Sequence, residues 1–590
     1  MDIINTNNPK DKTSFEHSVI NSLPEFNGLW FPREIIPLTE NFLNNIHIYS
    51  FREMAFIIIK HLIKSQLTDI QLKNVINNAF NFPIGVKSLK HNLFVLETFH
   101  GPTYTFKDFG ARFLACYLEE YLKNKKDKII NVLVSTSGDT GSAIASAFYE
   151  KKNIKVCILY PDKKISKIQE IQMTTYGKNI TAICIKNDFD QCQEFVKTSF
   201  TDDELKNLNL ISANSINLGR LLPQCLYYFY AVKKVKEKLG YYPENITFSV
   251  PCGNCGNLTG GLIARKLGLK VNFVASQNKN STFVNYLNSG NYNSIKSKRT
   301  LSNAMDVGDP SNFKRIKYLY PNLEDLKKVV RGFICSEEDT LIGIQEIWEK
   351  YKYIIDPHTS VAYNAIKNSN NCNIIVSTAH PMKFKETIYK AIKINVDFPQ
   401  GIKYLLTQNK LKIHMTENYL TFKNFLLKKD KSITLIGMPG AGKSVLSEFV
   451  SNKLDIPKIE VDSLICKKYN KNLPEIITQY GEKEFKEIEK NSILSICLEK
   501  KIIISPGGSI IYSEDAMKYL SKTLIIYLNC SFKEIKSRTE NFTNRGIIFN
   551  GKTPEELFND RNLLYKKYSD ISIDTDKLSI SEVGNIICNL

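Results

Sequence analysis

The feature that most constrains the fold is a repeated unit of apolar stretch, turn and amphipathic stretch. Between about residues 95 and 400 the apolar runs are IINVLVST, IKVCILYP, ITAICI, ITFSVP, VNFVASQ and CNIIVSTAH. Strands that alternate with helices predict a parallel sheet covered by helices, with ligand sites at the carboxyl ends of the strands. A strand-and-helix pattern resumes at about residue 431, so the sequence predicts an α/β fold in both parts.

Two of the turns carry glycines that suit a bound anion. They lie in VLVSTSGDTGSA, from Val132 onward, and in SVPCGNCGNLTGG, from Ser249 to Gly261. Glycines let the chain turn tightly, so that several N–H groups at the start of the following helix face a phosphate. Two such loops in one region predict a site for phosphorylated molecules.

A third stretch, HGPTYTFKDFGARF, supplies a candidate catalytic lysine. Lys107 lies between Phe106 and Phe109, just ahead of an amphipathic segment. An apolar, partly desolvated setting shifts an ammonium toward the neutral amine, which is the form that attacks a carbonyl to make an imine. Lys107 is therefore the predicted nucleophile.

Taken together, these stretches resemble the threonine synthases, pyridoxal phosphate enzymes of the tryptophan synthase β-like (fold type II) group. The similarity runs from about Asn21 to Phe384. It is carried by the ordered motifs GLWFPREIIPL, HGPTYTFKDFGARF, STSGDTGSA, SINLGRLLPQ, PCGNCGN, IIDPHTSVAY and STAHPMKF.

The resemblance implies a role for each matching residue. Lys107 would be the Schiff-base lysine, and Thr378 would be the partner of the pyridine nitrogen. The residues implied to cradle the cofactor phosphate are Gly253, Asn254, Cys255, Gly256 and Asn257. Those implied to surround the substrate, O-phosphohomoserine, are Ser137, Asp139, Thr140, Asn217 and Arg220.

A different motif opens the carboxyl-terminal part. In SITLIGMPGAGKSVLSEFV, the segment from Gly437 to Ser444 fits G-x-x-x-x-G-K-[ST] between a strand and a helix. In such a loop the N–H groups wrap the β-phosphate of ATP, Lys443 reaches the β- and γ-phosphates, and the Ser444 hydroxyl holds Mg²⁺. The predicted ATP-binding residues are Gly440, Ala441, Gly442, Lys443, Ser444, Val445 and Arg545.

From about Ser432 onward the chain resembles the shikimate kinases, through GMPGAGKS, EVDSLI, GEKEFKEIE, ISPGGS, NRGII and DRNLLYKKYSD. The resemblance implies a second parallel-sheet domain, similar to nucleoside-monophosphate kinases. It also implies Asp462 as the base and Arg545 as a cation that closes over the phosphates from a lid. The implied acceptor-binding residues are Asp462, Lys486, Gly508 and Arg561.

The kinase motifs depart from the family pattern at several positions. Lys486 stands where the family usually has an arginine that binds the acceptor carboxylate. The family's Gly-Gly-Gly triplet is Gly507-Gly508-Ser509 in this chain, and Pro506 stands before it. Gly546 replaces a proline in the lid, and Glu460 replaces an aspartate near the metal. Lysine offers a point charge where arginine offers a fork. Shikimate is the first choice of acceptor; homoserine, whose phosphorylation would supply the neighbouring domain, is the alternative.

Other functions are open to both halves. The amino-terminal half is open to a second reading as a serine or threonine dehydratase, although GDTGSA and DPHT favour threonine synthase. Either half is also open to a role as a non-catalytic regulatory domain, because a fold alone does not assign activity. Lys107 and Lys443 favour catalysis in both halves.

Composition limits the remaining classes. The 590 residues carry a net charge of +19, but the lysines are scattered and no nucleic-acid-binding motif accompanies them, so the expected partners are small molecules and not nucleic acids. The 13 cysteines are dispersed and odd in number, which fits a reducing cytoplasm. Cys252 and Cys255 have C-x-x-C spacing without a second pair, which argues against zinc. No apolar run is long enough for a membrane span.

The predicted domains follow from these patterns. Residues 1–95 are expected to form a mainly helical cap, 96–410 the pyridoxal phosphate domain, 411–430 a polar, lysine-rich linker, and 431–590 the kinase domain. The sequence leaves open the oligomeric state and any exchange between the two sites.

Overall fold

The computed structural model describes the chain except for residues 1, 25–26, 124, 126–127, 163–164, 187–188, 429–430 and 539–550. The described residues form two compact units. Unit 1 comprises Met1–Val156, Ile165–Met173 and Leu208–Thr407, and unit 2 comprises Cys157–Lys164, Thr174–Asn207 and Gln408–Leu590. Within the described ranges, no helix is long and apolar enough to cross a membrane.

The strands of the described residues are β1 (Ile3–Asn5), β2 (Asn8–Thr13), β3 (Trp30–Pro32), β4 (Gly85–Lys90), β5 (Leu93–Glu97), β6 (Ile130–Ser135), β7 (Ile154–Pro161), β8 (Ile180–Ile185), β9 (Leu210–Ser212), β10 (Ile246–Pro251), β11 (Val271–Gln277), β12 (Val330–Ile334), β13 (Cys372–Ser377), β14 (Lys412–Met415), β15 (Ile433–Ile436), β16 (Lys458–Glu460), β17 (Ile503–Ser505), β18 (Leu524–Asn529) and β19 (Ile571–Asp574).

The helices of the described residues are α1 (Phe15–Ile20), α2 (Glu40–Asn44), α3 (Phe51–Leu62), α4 (Asp69–Ala79), α5 (Lys107–Leu122), α6 (Asp139–Phe148), α7 (Lys167–Thr174), α8 (Phe189–Thr201), α9 (Leu218–Leu221), α10 (Leu226–Leu239), α11 (Gly256–Lys266), α12 (Thr282–Ser289), α13 (Phe313–Leu319), α14 (Leu323–Lys327), α15 (Glu337–Tyr351), α16 (Pro357–Asn364), α17 (Lys385–Ile392), α18 (Gln400–Leu405), α19 (Tyr419–Lys428), α20 (Lys443–Leu454), α21 (Val461–Tyr469), α22 (Leu473–Leu494), α23 (Glu514–Leu520), α24 (Phe532–Arg538), α25 (Pro554–Tyr568) and α26 (Ile580–Cys588).

Unit 1 is built on a six-stranded sheet in the order β12-β11-β10-β13-β5-β4. Its strands are parallel except for the β4–β5 hairpin. Every residue of β10 is buried, as expected for a parallel strand with helices on both faces. Val95 and Val274 of the sheet pack with Ile344 and Ile347 of α15 in the core. This confirms the parallel sheet that the apolar runs predict.

The amino-terminal segment contains more strand than the sequence indicates. Besides α1 to α4, it has a three-stranded antiparallel sheet in the order β2-β1-β3. Two of these strands are only three residues long, too short for a period-two pattern, and β2 reads NPKDKT, which is almost wholly polar. The β1–β2 hairpin and its pairing with β3, and not a periodic pattern of side chains, therefore create this sheet.

Unit 2 contains a sheet whose strands follow the order β16-β17-β15-β18-β19-β14-β8. The first five strands in this order are mutually parallel, and β15 is the middle one of the five. The predicted second parallel-sheet domain is thus present, and the G-x-x-x-x-G-K-S loop follows β15 directly.

The segment 411–430, for which the sequence predicts a polar linker, folds into β14 and α19. Strand β14 pairs parallel with β8 and antiparallel with β19. On α19, Phe422 stacks on Phe195 of α8 at 5.7 Å between ring centroids, and Lys423 pairs with Asp202 at 2.9 Å. These partners lie far away in sequence, and those on β8 and α8 and at Asp202 are more than two hundred residues distant, so local composition does not reveal the fold of this segment. The domain limits given above remain a prediction.

Candidate active sites

The first site is built on loops at the carboxyl ends of three parallel strands of unit 1. Lys107 is the first residue of α5 and follows β5, whereas Thr378 follows the neighbouring strand β13. The two loops are joined, because the Phe106 N–H donates to the Thr378 carbonyl at 2.9 Å and Thr105 bridges Ala379. The structure therefore brings Thr378 to the Lys107 loop, as the sequence motifs require.

Lys107 is desolvated in the way that its apolar neighbours predict. Burial lowers its pKa to about 8, Asp139 opposes this shift, and Arg220 and Lys383 lower the pKa further. Near neutral pH a useful fraction of the lysine is therefore the neutral amine that attacks a carbonyl.

Asp139, at the start of α6, belongs to a buried ion pair. Its Oδ1 accepts from Lys383 Nζ at 2.8 Å and from Gln169 Nε2 at 3.0 Å, and the side chains of Lys383 and Asp139 are 0% and 2% exposed. Burial opposes ionisation of Asp139, but Lys383 and Lys107 hold its pKa well below its usual range. Lys383 thus keeps the Asp139 carboxylate ionised near Lys107.

The other residues predicted to contact the substrate differ from one another in burial and in hydrogen bonding. Asn217 is fully buried and holds its own loop, accepting from Gly219 N at 2.9 Å and donating to Val19 O at 2.9 Å. Arg220 donates through Nη1 to Ala213 O at 2.6 Å, and within the described residues its buried Nε lacks a partner. Ser137 is exposed in the loop between β6 and α6, and Thr140 is half-buried in the first turn of α6.

The cradle from Gly253 to Asn257 joins β10 to α11. Cys255 has a left-handed backbone, with φ of 56°, and turns the chain into the helix. The first intrahelical bond is from Thr259 N to Cys255 O, so the preceding N–H groups of the helix lack helical acceptors. A Cβ on Gly253 would lie 3.0 Å from Met305 Cα, which shows how closely the loop is packed.

One side chain of the cradle also fits an anion. Asn257 Oδ1 accepts from the hydroxyls of Tyr227 and Tyr228 at 2.6 and 2.7 Å, which aims the amide. Its Nδ2 is buried and has no hydrogen-bond partner in the described chain. Free helical N–H groups with an orphaned amide donor fit the phosphate of pyridoxal phosphate.

The second site is a cavity of about 660 Å³ in unit 2, which the G-x-x-x-x-G-K-S loop and the residues around Asp462 line together. Lys443 Nζ donates to the carbonyls of Gly437 and Met438 at 2.8 and 3.2 Å. Burial lowers the pKa of Lys443 to about 8, and Asp462 opposes that shift. Ser444 also lines the cavity, in the first turn of α20.

Two carboxylates face each other in the acceptor half of this cavity. A Cβ on Gly507 would lie 2.3 Å from Glu489 Oε1 and 3.0 Å from Asp462 Oδ1, so both carboxylates lie close to this glycine. Burial raises the pKa of Asp462, with Lys443 opposing. Burial also raises the pKa of Glu489 to about 7, although Ser509 Oγ donates to it at 2.5 Å.

Among the described residues, Arg561 lines this cavity, whereas Lys486 and Tyr512 do not. Lys486 Nζ and the Arg561 guanidinium lie 5.3 and 5.6 Å from the ring centroid of Tyr512. Tyr565 donates to the Gly508 carbonyl at 2.8 Å, which fixes the turn after β17. Arg545, the predicted lid cation, lies outside the described residues. In the described ranges, no group of three or more His, Cys, Asp and Glu side chains is arranged to hold a metal ion.

Comparisons with known proteins decide the family. The models described as Threonine synthase N terminus, Pyridoxal-phosphate dependent enzyme and Threonine synthase, C-terminal match residues 3–80, 80–375 and 359–425. The threonine synthase of Buchnera aphidicola is 39% identical over 437 residues, which are 73% of this chain and 100% of the relative. That of Haemophilus influenzae is 40% identical over 437 residues, covering 72% of this chain and all of the relative. The chain belongs to the threonine synthase family.

A solved structure agrees with this threonine synthase assignment. The crystal structure of threonine synthase from Escherichia coli has a TM-score of 0.67 and 35% identity, over 72% of this chain and 99% of that chain. The remaining part matches the family model described as Shikimate kinase, over residues 439–589. The chain is thus a threonine synthase fused to a shikimate kinase domain, and the predicted fold class is confirmed for both parts.

Three residues of these sites escape assignment from the sequence. Lys383 lies in STAHPMKF and Glu489 in GEKEFKEIE, so both stood inside informative motifs, but only the structure shows that they are buried beside Asp139 and Asp462. Arg538 lines the kinase cavity and has no motif signal of its own. The roles of the individual site residues remain predictions.

Lys383→Met is expected to lower the free energy of unfolding of unit 1 by about 3–5 kcal/mol, because it leaves a buried carboxylate without its ammonium. In Asp139→Asn/Lys383→Met, where no charge is left unpaired, most of this loss should disappear. Both tryptophans of the threonine synthase, Trp30 and Trp348, lie in unit 1, so urea unfolding followed by tryptophan emission reports on this unit. Exposed Lys390 on α17 supplies the control, Lys390→Met. Equal losses of unfolding free energy in the single and double variants would show that Asp139 and Lys383 do not stabilise each other.

Proposed function

We propose that the chain is a bifunctional enzyme whose threonine synthase part converts O-phosphohomoserine and water to L-threonine and phosphate. The observation that carries this half is Lys107, desolvated beside the Asp139–Lys383 pair and joined to the Thr378 loop. Overall, the bond between the γ-carbon and the phosphate oxygen breaks. The β-carbon loses one proton and receives the hydroxyl of water, and of the two protons released, one goes to the γ-carbon and the other to the departing phosphate.

The residues divide this work between binding and proton transfer. When bound, pyridoxal phosphate supplies an electron sink that stabilises negative charge on substrate carbons. The cradle of Gly253 to Asn257 would hold its phosphate, and Thr378 would meet its ring nitrogen. The neutral amine of Lys107 takes a proton from the substrate α-carbon as a general base. Buried Arg220 and Lys383 favour a dianionic substrate over a neutral amino acid.

The test of this half uses the full chain with pyridoxal phosphate. With O-phosphohomoserine we expect threonine and phosphate in equal amounts. Formation of a 2-oxo acid from serine or threonine, without need of a phosphorylated substrate, would instead identify a dehydratase.

For the second half we propose transfer of the γ-phosphoryl group of ATP to shikimate, giving ADP and 3-phosphoshikimate. The observation that carries it is a single cavity that holds both the phosphate-binding loop and Asp462. Lys443 would neutralise the transferred phosphate and Asp462 would accept the hydroxyl proton. The Ser444 hydroxyl would hold Mg²⁺, a hard cation that prefers oxygen ligands. Arg561 and Lys486 would bind the carboxylate of the acceptor.

A second acceptor, homoserine, is favoured by one observation. Its ammonium needs an acidic partner, since a buried ammonium without one is costly. Glu489 lines the cavity next to Asp462 and would supply that partner. Shikimate remains the first choice, because the domain matches the shikimate kinase model.

Glu489→Gln separates the two acceptors. If Glu489 holds an ammonium, kcat/KM for homoserine should fall at least tenfold more than kcat/KM for shikimate, because only homoserine carries that charge. Steady-state rates of the full chain with each acceptor at saturating ATP measure the effect, and Glu487→Gln, an exposed neighbour on α22, is the control. A wild-type kcat/KM for homoserine above that for shikimate would overturn the first choice. Turnover of neither acceptor would favour the regulatory role.

We place both activities in the cytoplasm, and we propose small-molecule partners only. The dispersed, odd-numbered cysteines support a reducing compartment.

A further inference from the structure

Arg315, on α13, is a completely enclosed cation of unit 1. Its side chain is 0% exposed, and it makes five hydrogen bonds to neutral oxygens. Nε and Nη2 donate to Trp30 O at 3.1 and 2.9 Å, and Nη2 donates to Ile216 O at 2.5 Å. Nη1 donates to Ser215 O at 3.3 Å and to Asn312 Oδ1 at 2.7 Å.

These acceptors belong to three separate stretches of sequence. Trp30 is in β3 of the amino-terminal segment. Ser215 and Ile216 directly precede Asn217 and Arg220, the predicted substrate residues. A charged group that is buried without a carboxylate partner is costly unless its hydrogen bonds are complete. Arg315 therefore stabilises the folded arrangement in which all three stretches supply their acceptor oxygens to its guanidinium.

The third stretch leads to the cofactor cradle. Asn312, whose Oδ1 accepts from Arg315, donates through N and Nδ2 to Asn254 O at 3.3 and 3.1 Å. Ser311 N and Oγ donate to Asn254 Oδ1 at 3.3 and 3.0 Å. One guanidinium is thus connected to the substrate loop directly and to the cradle through a single amide.

We propose that Arg315 is a positioning residue that holds the substrate loop and the cofactor-phosphate cradle in register, with the amino-terminal segment as their common support. The inference rests on the proposed threonine synthase function. It also gives the amino-terminal segment a role in the active site. A lysine does not replace Arg315, because one ammonium cannot direct donors at four acceptor atoms in a planar fork.

The test compares Arg315→Lys with wild type in the full chain. We expect the Kd of pyridoxal phosphate to rise about tenfold, as for loss of about 1.4 kcal/mol of hydrogen bonding. We expect kcat/KM for O-phosphohomoserine to fall about 100-fold, the effect of a displacement near 1 Å. The kinase rate should be unchanged, and Arg299→Lys, the same change at an exposed site, should leave every value unchanged.

A second variant keeps the proposal testable if Arg315→Lys unfolds. Asn312→Ala removes the side-chain amide that connects Arg315 to Asn254 O but keeps the Asn312 N–H bond to the cradle and the bonds from Arg315 to Ser215 and Ile216, so it should weaken cofactor binding more than it raises KM for the substrate. Cofactor Kd and KM within twofold of wild type in the folded variants would overturn the proposal. Cofactor binding is measured without turnover. A wild-type protein that binds the cofactor but forms no threonine would contradict the proposed function. The effect of Arg315→Lys on the cofactor Kd would still test the positioning role.

Discussion

Lys107→Ala is expected to abolish threonine formation and the absorbance band of lysine-bound pyridoxal phosphate together. The physical reason is that one amine serves both as the covalent attachment point and as the proton acceptor. Loss of a general base costs about 10²–10⁴-fold, and loss of covalent attachment adds to it, so the residual rate should lie near the limit of detection.

The measurement is threonine formation from O-phosphohomoserine, with the absorbance spectrum recorded on the same sample. Lys123→Ala, at the other end of α5 and exposed, should behave as wild type. Because the pKa of Lys107 is lowered to about 8, attachment of added cofactor to the apoprotein should speed up as pH rises toward 8 and level off above it. An active Lys107→Ala protein would refute the assignment of this lysine.

Lys443→Ala is expected to lower the kinase rate by about 10³-fold or more while threonine formation stays unchanged. Phosphoryl transfer depends mainly on positioning and charge neutralisation, and Lys443 is the cation of the loop that reaches the transferred phosphate. The alanine variant also loses the bonds to the Gly437 and Met438 carbonyls, so the empty loop should become less ordered.

Both activities are measured on the same full-length preparation. Lys453→Ala, on the exposed side of the same helix α20, is the matched control. Since Lys443 and Lys107 lie in different compact units, equal loss of both activities would contradict independent sites and show that the two halves fold or work together.

The two loops that bind phosphate were predictable because their chemistry is local. A glycine-rich turn between an apolar strand and a helix directs N–H groups at an anion wherever the sheet stands, so PCGNCGN and GMPGAGKS could be read from a few adjacent residues. Lys107 was predictable for a related reason, since its aromatic neighbours in sequence already suggest a desolvated amine.

Contacts between distant residues were not predictable in this way. Lys383 meets Asp139 across 244 positions, and Arg315 meets Trp30 across 285. Glu489 and Asp462 are 27 positions apart in sequence, and only the fold brings both carboxylates close to Gly507. The same holds for 411–430, whose polar composition suggests a linker, although β14 pairs with β8 and β19.

The sequence by itself determined the two α/β parts and pointed to the candidate catalytic lysine and both candidate phosphate loops, because strand periodicity, glycine turns and motif spacing are properties of neighbouring residues. Only the tertiary structure decided which buried charges share a site, which carboxylate stands beside the kinase base, and how the amino-terminal segment reaches the active-site loops. These depend on the burial of polar groups, and a buried charge is stable only where distant parts of the chain supply its partners.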